Sequence, residues 1–187
     1  PMTAKLRRLL PAAIAAALVT LAGQAQAGGR IAVEGATAQS NRTNVDRYGV
    51  NLAIDWERQW FRTGNWYLTG YWEGGITYWD GAKGTTGNDS LVDFNMTPVF
   101  RVQRDVSTGL GLFVEAGVGL HFYTDHEIDD KDFDIPFAFG SHLGAGSRFG
   151  PNGEYELMYR YQHQSNAGIG DRNPGINFHM FSLGYHF

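Results

Sequence analysis

The sequence predicts an all-β fold, an eight-stranded antiparallel barrel that crosses a membrane. Three observations carry that prediction. Glycine supplies 25 of the 187 residues and aromatic residues 14%, a mix suited to many turns and to strands with aromatic ends. Apolar and polar residues alternate along run after run, the period of a β-strand. The connections between runs are short at one end of the strand set and long and polar at the other, as in outer-membrane barrels.

The N-terminus fits an exported protein. Residues 1–27 read as a secretory signal peptide, with Lys5, Arg7 and Arg8 ahead of the apolar run Leu9 to Leu21 and the small-residue site Ala25-Gln26-Ala27. The apolar run is shorter than the roughly 20 residues a spanning helix needs. The mature chain is expected to be one domain, the barrel of residues 28–187. The chain has no cysteine, which excludes disulfides, a thiol nucleophile and a lipid-modified cysteine anchor. Net charge is -4, and no basic block follows the N-terminus, which argues against nucleic acid as a partner.

Eight strand-like runs follow the signal: Arg30–Thr37, Tyr48–Trp60, Trp66–Trp79, Ser90–Val102, Leu110–Tyr123, Phe137–Phe149, Tyr155–Ser165 and Asn177–Phe187. The second sets Val50, Leu52, Ile54 and Trp56 against Asn51, Asp55 and Glu57. The fourth sets Val92, Phe94, Met96 and Phe100 against Asp93, Asn95, Thr97 and Arg101, and the fifth sets Leu112, Val114, Val118, Leu120 and Phe122 against Glu115 and His121. A soluble sandwich would alternate too, so the connections decide. Thr63–Asn65, Asp105–Gly109 and Gly150–Gly153 are short, whereas Gln39–Asp46, Asp80–Asp89, Thr124–Pro136 and Asn166–Ile176 are long. Eight strands leave an interior that side chains fill. The predicted inward set, Asp55, Glu57, Glu73, Asp93, Arg101, Glu115, Arg148, Glu156 and Arg160, holds both signs and can pair within it. Trp56, Trp60, Trp66, Trp72 and Trp79 are expected near strand ends or on the outside, where interfacial aromatics belong. Asp125–Asp134, with its five aspartates, reads as a solvated outer loop, with a weak calcium site as the alternative.

The seventh run carries the candidate chemistry. Tyr155, Leu157, Tyr159 and Tyr161 share a face that continues into His163 and Ser165. With the N-terminus periplasmic, that face points into lipid and the pair sits at its outer-leaflet end. A polar pair is costly there, and an imidazole beside a hydroxyl is the first requirement for a serine nucleophile.

At His163-Gln-Ser165-Asn166-Ala167-Gly168 and Asn173-Pro-Gly-Ile-Asn177 the chain resembles the lipid A 3-O-deacylases, the PagL family. Tyr67–Trp79, Thr97–Phe100 and Phe113–Gly119 extend the resemblance over most of the mature chain. It implies an eight-stranded barrel of the bacterial outer membrane that hydrolyses the ester-linked acyl chain at the 3-position of lipid A. His163 would be the general base and Ser165 the nucleophile, with the turn Asn166, Ala167, Gly168 supplying the oxyanion hole. The one departure is Asn177, where the family pattern has a glutamate to orient the histidine. Asn177 shares the outward face with His163 and can hold an imidazole N–H through its carbonyl, with Asp171 the alternative.

The expected partners are lipid A or lipopolysaccharide as substrate and the surrounding membrane lipid. A homodimer is compatible with the sequence, which does not fix the oligomeric state. No cofactor or metal is expected, and the remaining histidines show no ligand spacing. Two other readings stand beside the esterase. One is a non-catalytic barrel with a structural or adhesive role, which gains nothing from His163 and Ser165 on its lipid face. The other is an acyltransferase with a lumenal acyl pocket, which the charged interior disfavours.

Overall fold

The computed structural model describes residues 28–40 and 43–187, so the predicted signal peptide, residues 1–27, lies outside the described residues. The strands are β1 Gly29–Ser40, β2 Thr43–Asp55, β3 Trp60–Thr63, β4 Trp66–Gly81, β5 Ser90–Arg104, β6 Gly111–Tyr123, β7 Glu127–Ile128, β8 Lys131–Asp132, β9 Phe137–Phe149, β10 Tyr155–Ser165 and β11 Ile176–His186. Every neighbour pair is antiparallel, in the order β2-β1-β11-β10-β9-β6-β5-β4-β3. The ring closes where β2 pairs with β4, from Val45 opposite Gly81 to Asp55 opposite Tyr71. Eight strands form that barrel; β3 prolongs β2 beyond a break, and β7 and β8 form a separate small hairpin. The first long loop, expected at Gln39–Asp46, is instead mostly strand, because β1 and β2 stay paired as far as Ser40 opposite Thr43.

Burial is inverted relative to a soluble protein. Outward side chains are apolar and exposed, such as Leu143 at 67% and Phe181 at 62%, whereas Glu115 and Arg160 are only 2% exposed. Lipid supplies the environment those apolar faces need, and ring closure leaves no unpaired strand edge inside the hydrocarbon. No helix among the described residues is long and apolar enough to cross a membrane.

The lumen is filled in layers. In the periplasmic half Arg30, Arg101 and Arg160 alternate with Glu73, Glu115 and Glu156. Arg101 donates to Glu115 and to Glu156 at 2.6 Å each, Arg160 donates to Glu73 at 2.5 Å and to Glu115 at 2.7 Å, and Arg30 bridges Glu73 and Glu156. The Tyr71 hydroxyl donates to Glu115 at 2.8 Å and accepts from Arg160 at 2.8 Å. Three positive and three negative groups thus neutralise one another away from water. Above them Arg47 joins Glu34 at 2.7 Å and Gln162 at 2.6 Å, and His121 meets Asp93 at 2.9 Å. The outer end is apolar: Trp79, Tyr123 and Phe178 pack together, sealed by Phe133 and Ile128 from the third outer loop.

Two expectations are corrected here. Trp79 is not an interfacial residue but a fully buried plug residue, because its position in β4 has inward parity with Thr77. Glu57 is exposed in the turn after β2, where the strand breaks, rather than inside. Asp55 and Arg148 are half-buried near strand ends, Arg148 donating to the Gly153 carbonyl at 2.8 Å. Trp56, Trp60, Trp72 and Phe100 do form an aromatic cluster, with Trp56 5.0 Å from Phe100. Gly70 makes room for it, since a Cβ there would lie 2.2 Å from the Trp56 ring.

Removing one member of the charge layer strands its partners. Arg101→Leu leaves Glu115 and Glu156 each short of a cation and is expected to cost about 3–5 kcal/mol. The check is the urea midpoint of the detergent-solubilised barrel. An unchanged midpoint would show that Arg30 and Arg160 compensate.

Candidate active site

β10 and β11 present the site on the outer wall. Their register sets His163 opposite Asn177 and Tyr161 opposite His179. His163 and Asn177 are exposed, while Gln162, Gln164, Ile176 and Phe178 between them point inward. The His163 Nδ1–H donates to Asn177 Oδ1 at 2.7 Å. Because that oxygen can only accept, the bond keeps a proton on Nδ1 and makes Nε2 the nitrogen available as a base.

Ser165 ends β10 opposite Phe139 of β9 and is half-buried on the face that carries His163. Residues two apart along a strand are separated by roughly 6.6 Å, a span an imidazole and a rotating hydroxyl can bridge. No hydrogen bond joins Ser165 to His163 among the described residues. The histidine is held from its other side by the backbone. Gly175 has φ 58°, and a Cβ on it would lie 3.1 Å from His163 Cε1. Glycine there permits both the left-handed turn and the close approach to the ring.

The turn after Ser165 is tightly organised. The Asn166 amide donates to Asn173 Oδ1 at 3.0 Å, and the Gly168 amide donates to Asn166 Oδ1 at 2.9 Å. The Asn166 side chain is fully buried and donates to the carbonyls of Phe133 and Arg172, at 2.7 Å each. Ala167 sits between them at φ 54°, and its N–H has no partner among the described residues. Asp171 is exposed and makes no hydrogen bond to His163; its amide donates to Asp134 at 2.8 Å.

The acidic segment is a clasp rather than a freely solvated loop. Ile128 and Phe133 are buried in the barrel mouth. Around them Asp129 accepts from the Asn44 amide at 2.9 Å, Asp130 from the Thr85 amide at 2.6 Å and Asp134 from the Asp171 amide. Three outer connections are therefore latched to the third. The Asp134 amide, with His126 and Arg172, holds the Asp132 carboxyl below its ordinary range. Within this segment His126, Glu127 and Asp132 lie within reach of a common cation, but Asp132 is already engaged by these donors.

Sequence reasoning passed over Asn173 and Gly175 as functional positions. Their signal was the Asn-Pro-Gly turn ahead of Asn177. Nothing in it foretold that the turn folds back onto the imidazole. Below the site, Tyr159 and His179 share a 2.7 Å hydrogen bond on the lipid-facing wall, with Tyr161 and Phe181 beside them.

The model of the lipid A 3-O-deacylase (PagL) family matches residues 46–186. The chain is 36% identical over 181 residues to a lipid A deacylase PagL of Pseudomonas aeruginosa, covering 96% of this chain and 98% of that one. It is 33% identical over 113 residues to a lipid A deacylase PagL of Bordetella bronchiseptica, covering 60% of each chain. Among solved structures, the outer membrane enzyme PagL superposes with a TM-score of 0.70 at 27% identity, over 82% of this chain and 98% of that one. Neisserial surface protein A superposes at 0.54 with 12% identity, over 85% of this chain and 94% of that one, a likeness of fold alone. Matched by the family model over most of its length, the chain belongs to the lipid A 3-O-deacylase (PagL) family of outer-membrane barrels.

Proposed function

We propose that this protein hydrolyses the ester-linked acyl chain at the 3-position of lipid A, with Ser165 as nucleophile, His163 as general base and Asn177 as the residue that orients the base. The observation that carries the reading is the His163–Asn177 bond of 2.7 Å on an outward face otherwise built for lipid. A non-catalytic barrel has no use for an oriented imidazole there.

The geometry suits a substrate that never leaves the membrane. Lipid A carries its ester linkages at the boundary between sugar and hydrocarbon. Ser165 occupies the outer end of β10, with Phe139, Tyr161 and Leu143 along the adjoining wall for an acyl chain. His163 Nε2 takes the proton as Ser165 Oγ attacks the ester carbonyl. The Ala167 N–H, which has no partner of its own among the described residues, is the donor we assign to the oxyanion; the Asn166 and Gly168 amides hold the turn in shape. Collapse expels the sugar 3-oxygen, which recovers the proton from His163. Water then cleaves the acyl-serine with His163 again as base, releasing the fatty acid.

The test is mass spectrometry of lipid A incubated with purified protein in detergent and excess chelator. The expected result is loss of one 3-linked acyl chain and recovery of the free acid, since the assigned steps draw on protein groups and water. An unchanged lipid A, or a loss that only added metal restores, would contradict the reading.

A further inference from the structure

Beside the His163–Asn177 pair lies a recess of about 180 Å³ at the outer rim of the barrel. Its walls include Thr43 from β2, Lys131 from β8, and Pro174 and Gly175 from the last loop. We infer that this recess binds a phosphate of the glycolipid substrate through the Lys131 ammonium and the Thr43 hydroxyl, and so sets which esters reach Ser165. The inference rests on the esterase reading above and adds to it the recognition of a charged group.

Two independent observations carry it. Lys131 lies in the most acidic stretch of the chain yet forms no ion pair among the described residues. Its neighbours are committed elsewhere: Asp130 accepts from the Thr85 amide, and Asp132 from His126, the Asp134 amide and Arg172. Lys131 is half-buried and lines the recess. Thr43 is 5% exposed, and its Oγ1 finds no hydrogen-bond partner among the described residues. Buried hydroxyls in native folds are rarely left so. A tetrahedral dianion offers oxygen acceptors to both groups at once, and charge-assisted bonds to phosphate are among the stronger polar contacts. The β7–β8 hairpin that carries Lys131 is fixed over the barrel mouth by buried Ile128, so the residue stands on an anchored hairpin rather than a free loop.

Lipid A is a phosphorylated glucosamine disaccharide, and either of its phosphates supplies this chemistry. The experiment compares wild type, Lys131→Met, Lys131→Arg and Thr43→Val in detergent on four substrates: bisphosphorylated lipid A, the two singly dephosphorylated forms, and a neutral short-chain ester. For Lys131→Met the expected result is a KM raised roughly tenfold on bisphosphorylated lipid A. Its kcat should be unchanged, as should its turnover of the neutral ester. Lys131→Arg should restore most of the affinity, and Thr43→Val should raise KM by a smaller factor. The penalty should vanish on whichever dephosphorylated form lacks the bound phosphate, which identifies that phosphate. Equal penalties on phosphorylated and neutral substrates would make Lys131 structural and overturn the inference. Wild-type behaviour of Lys131→Met on every substrate would overturn it too and leave the esterase reading standing, provided Ser165→Ala is inactive in the same series. Failure of wild type itself to cleave lipid A would remove both.

Discussion

Ser165→Ala and His163→Ala should each lower ester hydrolysis by several orders of magnitude while leaving a folded barrel. Nucleophile and base act as one unit, so loss of either removes nearly the whole chemical advantage of both; in a well-studied serine hydrolase each costs on the order of 10⁶. Neither residue supports the fold. Both lie on the outward face, and His163 bonds only Asn177 among the described residues. The buried charge layer and the apolar plug stand apart from them. Turnover and the urea midpoint should therefore separate, the first collapsing and the second holding within about 0.5 kcal/mol as for other exposed substitutions. Near wild-type hydrolysis by either variant would refute the assignment, and a parallel loss of stability would make the effect structural.

The second large effect is expected at Asn177. Its carbonyl holds the Nδ1–H of His163 at 2.7 Å, which fixes the ring's tautomer and direction but supplies no full negative charge. Asn177→Ala frees the ring to turn and to exchange tautomers. Turnover should fall by roughly 10³, between the tenfold-to-hundredfold cost of losing an orienting partner and the 10⁴ seen when an orienting group enforces the wrong tautomer. Asn177→Asp keeps the acceptor and adds charge that favours the imidazolium formed as Ser165 gives up its proton. It should match or exceed wild type, and Asn177→Glu should do so if the longer side chain fits. A carboxylate there also makes the histidine hold its proton to higher pH. The acid limb of the Asn177→Asp pH–rate profile should accordingly move to higher pH. If Asn177→Ala leaves turnover unchanged, another residue holds the histidine, and Asp171→Ala becomes the next variant.

The strands and their faces were legible because period-2 alternation is written locally. Parity alone predicts one outward face for His163, Ser165 and Asn177, and the register sets His163 directly against Asn177. Trp79 shows where such reading stops. Aromatic residues suit both a membrane interface and a barrel plug, and only the position of the outer loops decides between them. The same holds for Asp125–Asp134: five aspartates signal solvent by composition, but their role follows from which amides the folded loops bring to them. Arg30, Glu34 and Arg47 also lie in the lumen, outside the inward set that the sequence predicts. For Arg47 the cause was the boundary, since β2 begins five residues earlier than its apolar pattern suggests. Within the site, the turn Asn166–Gly168 was legible as a glycine-containing turn, whereas the engagement of the Asn166 amide depends on Asn173 folding back onto it.

The proposed nucleophile is Ser165 on the lipid-facing wall, activated by His163. Its most direct test is labelling of the detergent-solubilised protein with a serine-directed fluorophosphonate, followed by peptide mass mapping. A single adduct on the peptide that contains Ser165, absent in Ser165→Ala and strongly slowed in His163→Ala, is the predicted result. An adduct on another residue, or labelling of Ser165 at an equal rate without His163, would refute this assignment.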